Sequence, residues 1–117
     1  MNDSLKLNDE QVQKCQQYDA EVFPYDLNSK VGISLNVKQG DLQPLNALRV
    51  NPQGDTCGWY IWRGEWSNAP DFFKPLHLEH ITDWCPKVLP FLQLPPGWRF
   101  LIAPGHEDVW HDPELEL

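Results

Sequence analysis

From Val31 to Val37 the chain alternates without a break, apolar at every odd position and small or polar at every even one. A period of two with one wet face predicts a strand of an antiparallel sheet. Gln39-Gly40-Asp41 turns the chain and Leu45 to Val50 reads as a second short strand. In Asn51-Pro52-Gln53-Gly54-Asp55 proline fixes φ and glycine accepts a positive φ, which makes a turn. From Cys57 to Arg63 both sides are apolar: Cys57, Trp59 and Ile61 on one, Tyr60 and Trp62 on the other. That pattern predicts a central strand covered on both faces. Leu76-His77-Leu78 is a brief extended piece. Trp98 to Ala103 places Trp98, Phe100 and Ile102 on one side, and Pro104-Gly105 leads into a last short strand around Asp108-Val109-Trp110.

Two segments carry helical signals. Asn8 to Glu21 opens with a capping Asn8, has Asp9 and Glu10 at the positive end of the dipole and Gln11 at the capping-box position. Its apolar stripe, Val12, Cys15 and Tyr18, is thin, so the helix should lie on the surface of the core. Thr82 to Leu92 is the second, with Thr82 as cap, Pro86 in the first turn and Pro90 shortening it. Strands on short turns with two separated helices predict an α+β fold, a mostly antiparallel sheet with two helices packed on it. Residues 1–7 are expected to be a flexible arm, 8–113 a single domain and 114–117 an acidic tail.

The charge balance narrows the partners. Asp and Glu number 17 against 9 Lys and Arg, a net charge of −8. Such a surface repels phosphate backbones and anionic membranes and favours a basic protein. No run approaches the roughly 20 apolar residues that span a bilayer. Met1 to Lys6 lacks the apolar stretch of a signal peptide, and Cys15, Cys57 and Cys85 show no paired spacing. The expected setting is the cytoplasm, with reduced thiols.

Catalytic signatures are sparse. There is no G-x-S-x-G elbow, P-loop or dinucleotide-binding glycine pattern. Cys57 in a central strand reads as a small hydrophobe rather than a nucleophile. His77, His80 and Cys85 could serve a small metal-binding or enzymatic domain, although their spacing is not that of a tight zinc site. A third alternative is an accessory module that stacks a sugar or peptide on Trp59, Trp62 or Trp66. The segment Gly64 to Pro75 has the composition of a loop yet carries Trp66, Phe72 and Phe73. These rings either close the core or anchor a partner.

Three stretches together resemble a known family: Cys57-Gly58-Trp59-Tyr60-Ile61-Trp62-Arg63-Gly64-Glu65, Pro75-Leu76-His77-Leu78-Glu79-His80, and Leu94 to Ile102 with Glu107 to Asp112. Over about residues 55–113 the chain is similar to small bacterial immunity-type domains of polymorphic toxin systems. The resemblance implies a non-enzymatic protein without cofactor, monomeric or weakly dimeric, that binds a cognate toxin and blocks it. A basic nuclease is the toxin class that the charge fits best. Loop context, charge and aromatic area single out Glu65, Trp66, Asp71, Glu107 and Asp108 as expected interface members.

Overall fold

The computed structural model describes residues 3–115. In chain order it has α1 (Asp3–Gln17), β1 (Lys30–Ile33), α2 (Asn36–Gln39), β2 (Leu45–Arg49), β3 (Thr56–Arg63), β4 (Lys74–His77), α3 (Ile81–Trp84), β5 (Trp98–Ala103) and β6 (His106–His111). Short 3-10 turns occupy Leu78–His80, Pro86–Phe91 and Pro113–Leu115. The strands form one six-stranded sheet in the order β4-β1-β3-β2-β5-β6. Every pairing is antiparallel except β1 with β3. The class is therefore α+β with a mostly antiparallel sheet, and β3 lies in its interior, as two apolar sides require.

Local chemistry moves several boundaries. β1 stops at Ile33, short of the expected Val37. The Ser34 hydroxyl donates to the Asn36 side-chain carbonyl, and the Asn36 amide group donates to the Arg63 carbonyl at 3.1 Å. Such side-chain bonds compete with the ladder, and the chain winds into α2 instead. α1 begins at Asp3 rather than Asn8, so residues 3–7 are helical backbone. It ends before Glu21 in a Schellman motif: Ala20 N–H donates to Cys15 O, Asp19 N–H to Gln16 O, and Asp19 takes φ 59°. Its buried stripe is Gln11 and Cys15 rather than Val12 and Cys15. The expected helix from Thr82 to Leu92 is broken. Pro86 forces Cys85 out of the helical region (φ −164°, ψ 88°), α3 ends at Trp84, and Pro86–Phe91 continues as 3-10. Thr82 does not cap it; His80 occupies that place without a side-chain bond. Residues 1–2 of the expected arm and 116–117 of the expected tail lie outside the described residues.

Register puts Val31, Ile33, Ala47, Trp59, Ile61, Phe100 and Val109 on one sheet face. The helical layer covers it with Cys15, Val37, Leu78, Ile81, Val88, Phe91 and Leu92. Phe91 stacks on Phe100 at 4.4 Å, and Trp59 meets Phe100 edge-on at 5.4 Å. In this layer sits Arg49, fully buried. Its Nε donates to Cys57 O at 2.9 Å, and its Nη1 to Leu94 O at 2.9 Å, Phe23 O at 3.0 Å and Leu92 O at 3.3 Å. Its guanidinium lies 4.8 Å from the centre of the Phe23 ring. None of the described carboxylates forms an ion pair with it. Desolvation pulls its pKa down to about 10, so it stays charged near neutrality. The Trp59 indole shares the Leu92 carbonyl at 3.0 Å.

Buried amides fasten α1. Gln11 donates to Tyr25 Oη and Leu89 O, both at 2.8 Å, and accepts from Gln93 at 2.6 Å. At its far end Lys14 Nζ pairs with Glu107 Oε2 at 3.0 Å, and the Tyr18 hydroxyl donates to the same oxygen at 2.6 Å. Burial alone would push the Glu107 carboxyl up; the Tyr18 hydrogen bond and Lys14 outweigh it and hold it below its usual range. Burial first, then the bond to Glu107, push Tyr18 up to about 12. Cys15, Cys57 and Cys85 are free and buried, and burial pushes the thiols of Cys15 and Cys57 up.

Arg49→Met leaves several carbonyls without donors, so it should cost roughly 3 kcal/mol or more in denaturant unfolding. Arg49→Lys, with three donors and no fork, should recover only part of that loss. Glu107→Gln should cost about 0.5–1 kcal/mol at neutral pH. A carboxylate held low stabilises above its unfolded pKa and loses that contribution as pH falls through the folded one. Unfolding of wild type and variant should therefore converge below about pH 4, while the gap persists to neutrality.

Candidate partner-binding face

Alternation along β3 sends Tyr60 and Trp62 to the side of the sheet away from the helical layer. Two cross-strand rows define this outer face. One runs Trp62, Asn46, Leu101, Asp108 from β3 to β6. The other crosses all six strands as Pro75, Gly32, Tyr60, Leu48, Arg99, Trp110. The Tyr60 ring leans over Gly32, where a Cβ would come within 2.6 Å of it, so glycine is required for this close approach.

After β3, Gly64 at φ 73° reverses the chain and its N–H donates to Pro44 O at 2.9 Å. The following loop folds back over the outer face. Trp66 meets Trp62 edge-on at 5.0 Å and Phe73 at 5.1 Å, while Phe73 meets Tyr60 at 5.2 Å and Phe72 at 4.8 Å. Edge-to-face rings of this kind hold one another in place. Trp66 Nε1 donates to Asn68 Oδ1 at 3.0 Å and Ala69 N–H to Ser67 Oγ at 3.1 Å. The loop rings only partly close the core. Phe72 and Phe73 half-close the face over a buried Trp62, and Trp66 remains 48% exposed. A cleft of about 290 Å³ opens beside them, lined in part by Gly32, Tyr60, Phe73 and Pro75.

Glu65 and Asp71 are exposed on the same loop as Trp66. Asp108 is exposed on the same sheet face, three strand spacings or about 14 Å from Trp62. Trp66 and Asp108 therefore lie on the outer side, and Glu65 and Asp71 are exposed on the loop that covers it. Glu107 points the other way, toward α1, and its carboxylate is occupied by Lys14 and Tyr18. Arg99, a cation on the outer face, is matched by Asp112 at 3.2 Å and lies 5.6 Å from the Trp110 ring. Leu42, 57% exposed, and the half-buried Leu101 and Trp110 add apolar area beyond the residues expected from sequence. For Trp110 the signal was present: a period of two from Asp108 puts it on the same side.

The alternative chemistries fare differently. His77 and His80 have ring centres 6.4 Å apart and both are exposed, whereas Cys85 is buried. Among the described residues no group of three or more His, Cys, Asp or Glu is placed to hold a metal ion. Trp59 is 1% exposed and Trp62 4%, so neither offers a ring face to a ligand; Trp66 alone of the three does. Among the described residues no helix is long and apolar enough to cross a membrane.

No curated protein and no solved structure matches the chain. The model of one protein family does, described as the Imm33-like domain, over residues 10–112. That span holds the whole sheet, both ends of the outer face and the residues that Arg49 ties together. The chain belongs to the Imm33-like domain family, of immunity type.

Proposed function

We propose that this chain is a cytoplasmic, non-enzymatic immunity protein of a polymorphic toxin system, which binds a cognate toxin and neutralises it by covering its working surface. The family supports the class of partner. The observation that carries the binding mode is Trp66, half exposed on a braced aromatic cluster and flanked by Glu65 and Asp71. A rigid ring with a large apolar area is the usual anchor of an interface, and surrounding charges set the partner's sign. Asp108 and the Leu101 and Trp110 side chains extend that surface across the sheet. With a net charge of −8, the encounter is steered toward a cationic protein. A nuclease toxin fits, because a surface that binds phosphates must carry Lys and Arg, and carboxylates can occupy it in their place. The protein acts as a monomer or weak dimer.

The test is rescue of growth. The C-terminal toxin domain encoded in the adjacent open reading frame is induced with and without this chain. Growth should be restored, and the purified pair should form a stable complex. Trp66→Ala should weaken that complex by about 2 kcal/mol or more, some thirtyfold in Kd. Glu65→Lys with Asp71→Lys should slow association about tenfold at low salt and flatten its salt dependence. Unrelieved toxicity with both proteins soluble overturns the reading. An unchanged association rate in the charge variant overturns its electrostatic part.

A further inference from the structure

β6 ends the sheet, and no described strand pairs with its outer side. The Asp112 amide donates to Gly97 O at 2.7 Å, directly after the Trp98–His111 pair. In an antiparallel ladder, bonded and non-bonded pairs alternate. The bonded pairs are then Arg99–Trp110, Leu101–Asp108 and Ala103–His106, the last closing the two-residue Pro104-Gly105 turn. Glu107 and Val109 fall in the non-bonded pairs, so their N–H and C=O groups point away from the sheet.

Sheet edges are usually blunted by charged side chains, proline, a bulge or brevity, which discourages pairing with like edges. The opposite edge, β4, is four residues long and contains Pro75. β6 is six residues in unbroken register with β5, with no proline, lysine or arginine. It carries Glu107 and Asp108 instead; Glu107 is paired with Lys14, and Asp112, which follows, with Arg99, so Asp108 is the acid that faces a partner without a described ion pair. A second copy paired along this edge brings Asp108 toward its own counterpart, which is unfavourable. A strand bearing lysine or arginine meets opposite charge there. The edge is also braced before any partner arrives. Lys14 and Tyr18 grip the Glu107 side chain from the core face, and Val109 is buried beneath the strand. An ordered template loses little freedom on pairing.

Resting on the proposal that the chain binds a cationic toxin, we infer that the toxin adds an extended, lysine- or arginine-bearing segment to β6, continuing the sheet by one strand. Main-chain bonds to Glu107 and Val109 hold that segment, and Asp108 selects its charge from the outer face. The contact lies on the same sheet three strand spacings from β3 and the Trp66 cluster, so one partner of ordinary size can span both.

Amide exchange by NMR decides the matter, on the free chain and on its equimolar complex with the toxin domain encoded in the adjacent reading frame. In the free chain the Glu107 and Val109 amides should exchange quickly, and Asp108 and Trp110 slowly. In the complex the first two should slow about a hundredfold or more, as paired strand amides do. A variant pair adds an affinity readout. Glu107→Gln loosens the tether to α1 but keeps the outward amide; Glu107→Pro removes both. The proline variant should bind about tenfold more weakly than the glutamine one, a main-chain bond's worth. A complex that forms without slowing these amides overturns the strand addition and leaves the immunity reading standing. Failure of any complex to form removes both. Protection that rises with the concentration of the chain alone assigns the edge to a second copy and overturns the inference.

Discussion

The fold depends on a charge that none of the described carboxylates neutralises. Arg49 enters the core from the end of β2, and carbonyl dipoles rather than a carboxylate surround it. The partner carbonyls come from three pieces of chain: the β3 strand, the segment after α1, and the turn before β5. Those segments have no regular partners for these groups, so the guanidinium satisfies them as much as they satisfy it. Its planar fork and fixed charge suit this role as a flexible ammonium would not. The Phe23 ring over the guanidinium and the Trp59 indole on the shared Leu92 carbonyl extend the same knot. One side chain thereby ties these irregular segments to the sheet.

Because that knot is confined to the helical side, the opposite face is left with a different task. It holds rings in quantity, yet they are braced against one another rather than sealed beneath a layer. Large exposed apolar patches are uncommon on monomers and usually mark a partner's place. The acidic residues about the patch keep it soluble and give it a sign. Glu107, although next to Asp108 in sequence, is spent on the joint between α1 and β6, since alternation turns consecutive strand residues to opposite sides.

Much of this could be read along the chain, and the failures have identifiable causes. Period-two patterns located β2, β3 and β5 closely, and two apolar sides placed β3 inside the sheet. They overran at Val37, because Ser34 and Asn36 bond locally and the alternation beyond Ile33 is coincidental with a helical turn. The end of α1 was missed because the left-handed position is filled by Asp19 and not by glycine. The buried stripe was misread because Gln11 looks polar; its amide is buried only because Tyr25, Leu89 and Gln93 meet it from afar. Pro86 and Pro90 were visible but underweighted. Of the proposed interface residues, the exposure of Glu65, Trp66 and Asp71 is legible as loop chemistry. Which side of β6 each acid faces is not, since that depends on register with β5. The outer edge amides have no signature in side chains at all.

The two-row arrangement of the outer face carries a further consequence. Leu101 and Asp108 lie on the sheet face opposite the knot around Arg49, and substitutions at well-separated, independent positions add nearly without interference. In the proposed binding mode, recognition can therefore drift one side chain at a time while the scaffold beneath keeps its stability. An antagonist that alters its toxic surface need not force a new fold on its defender, only a new spelling on one side of an old sheet.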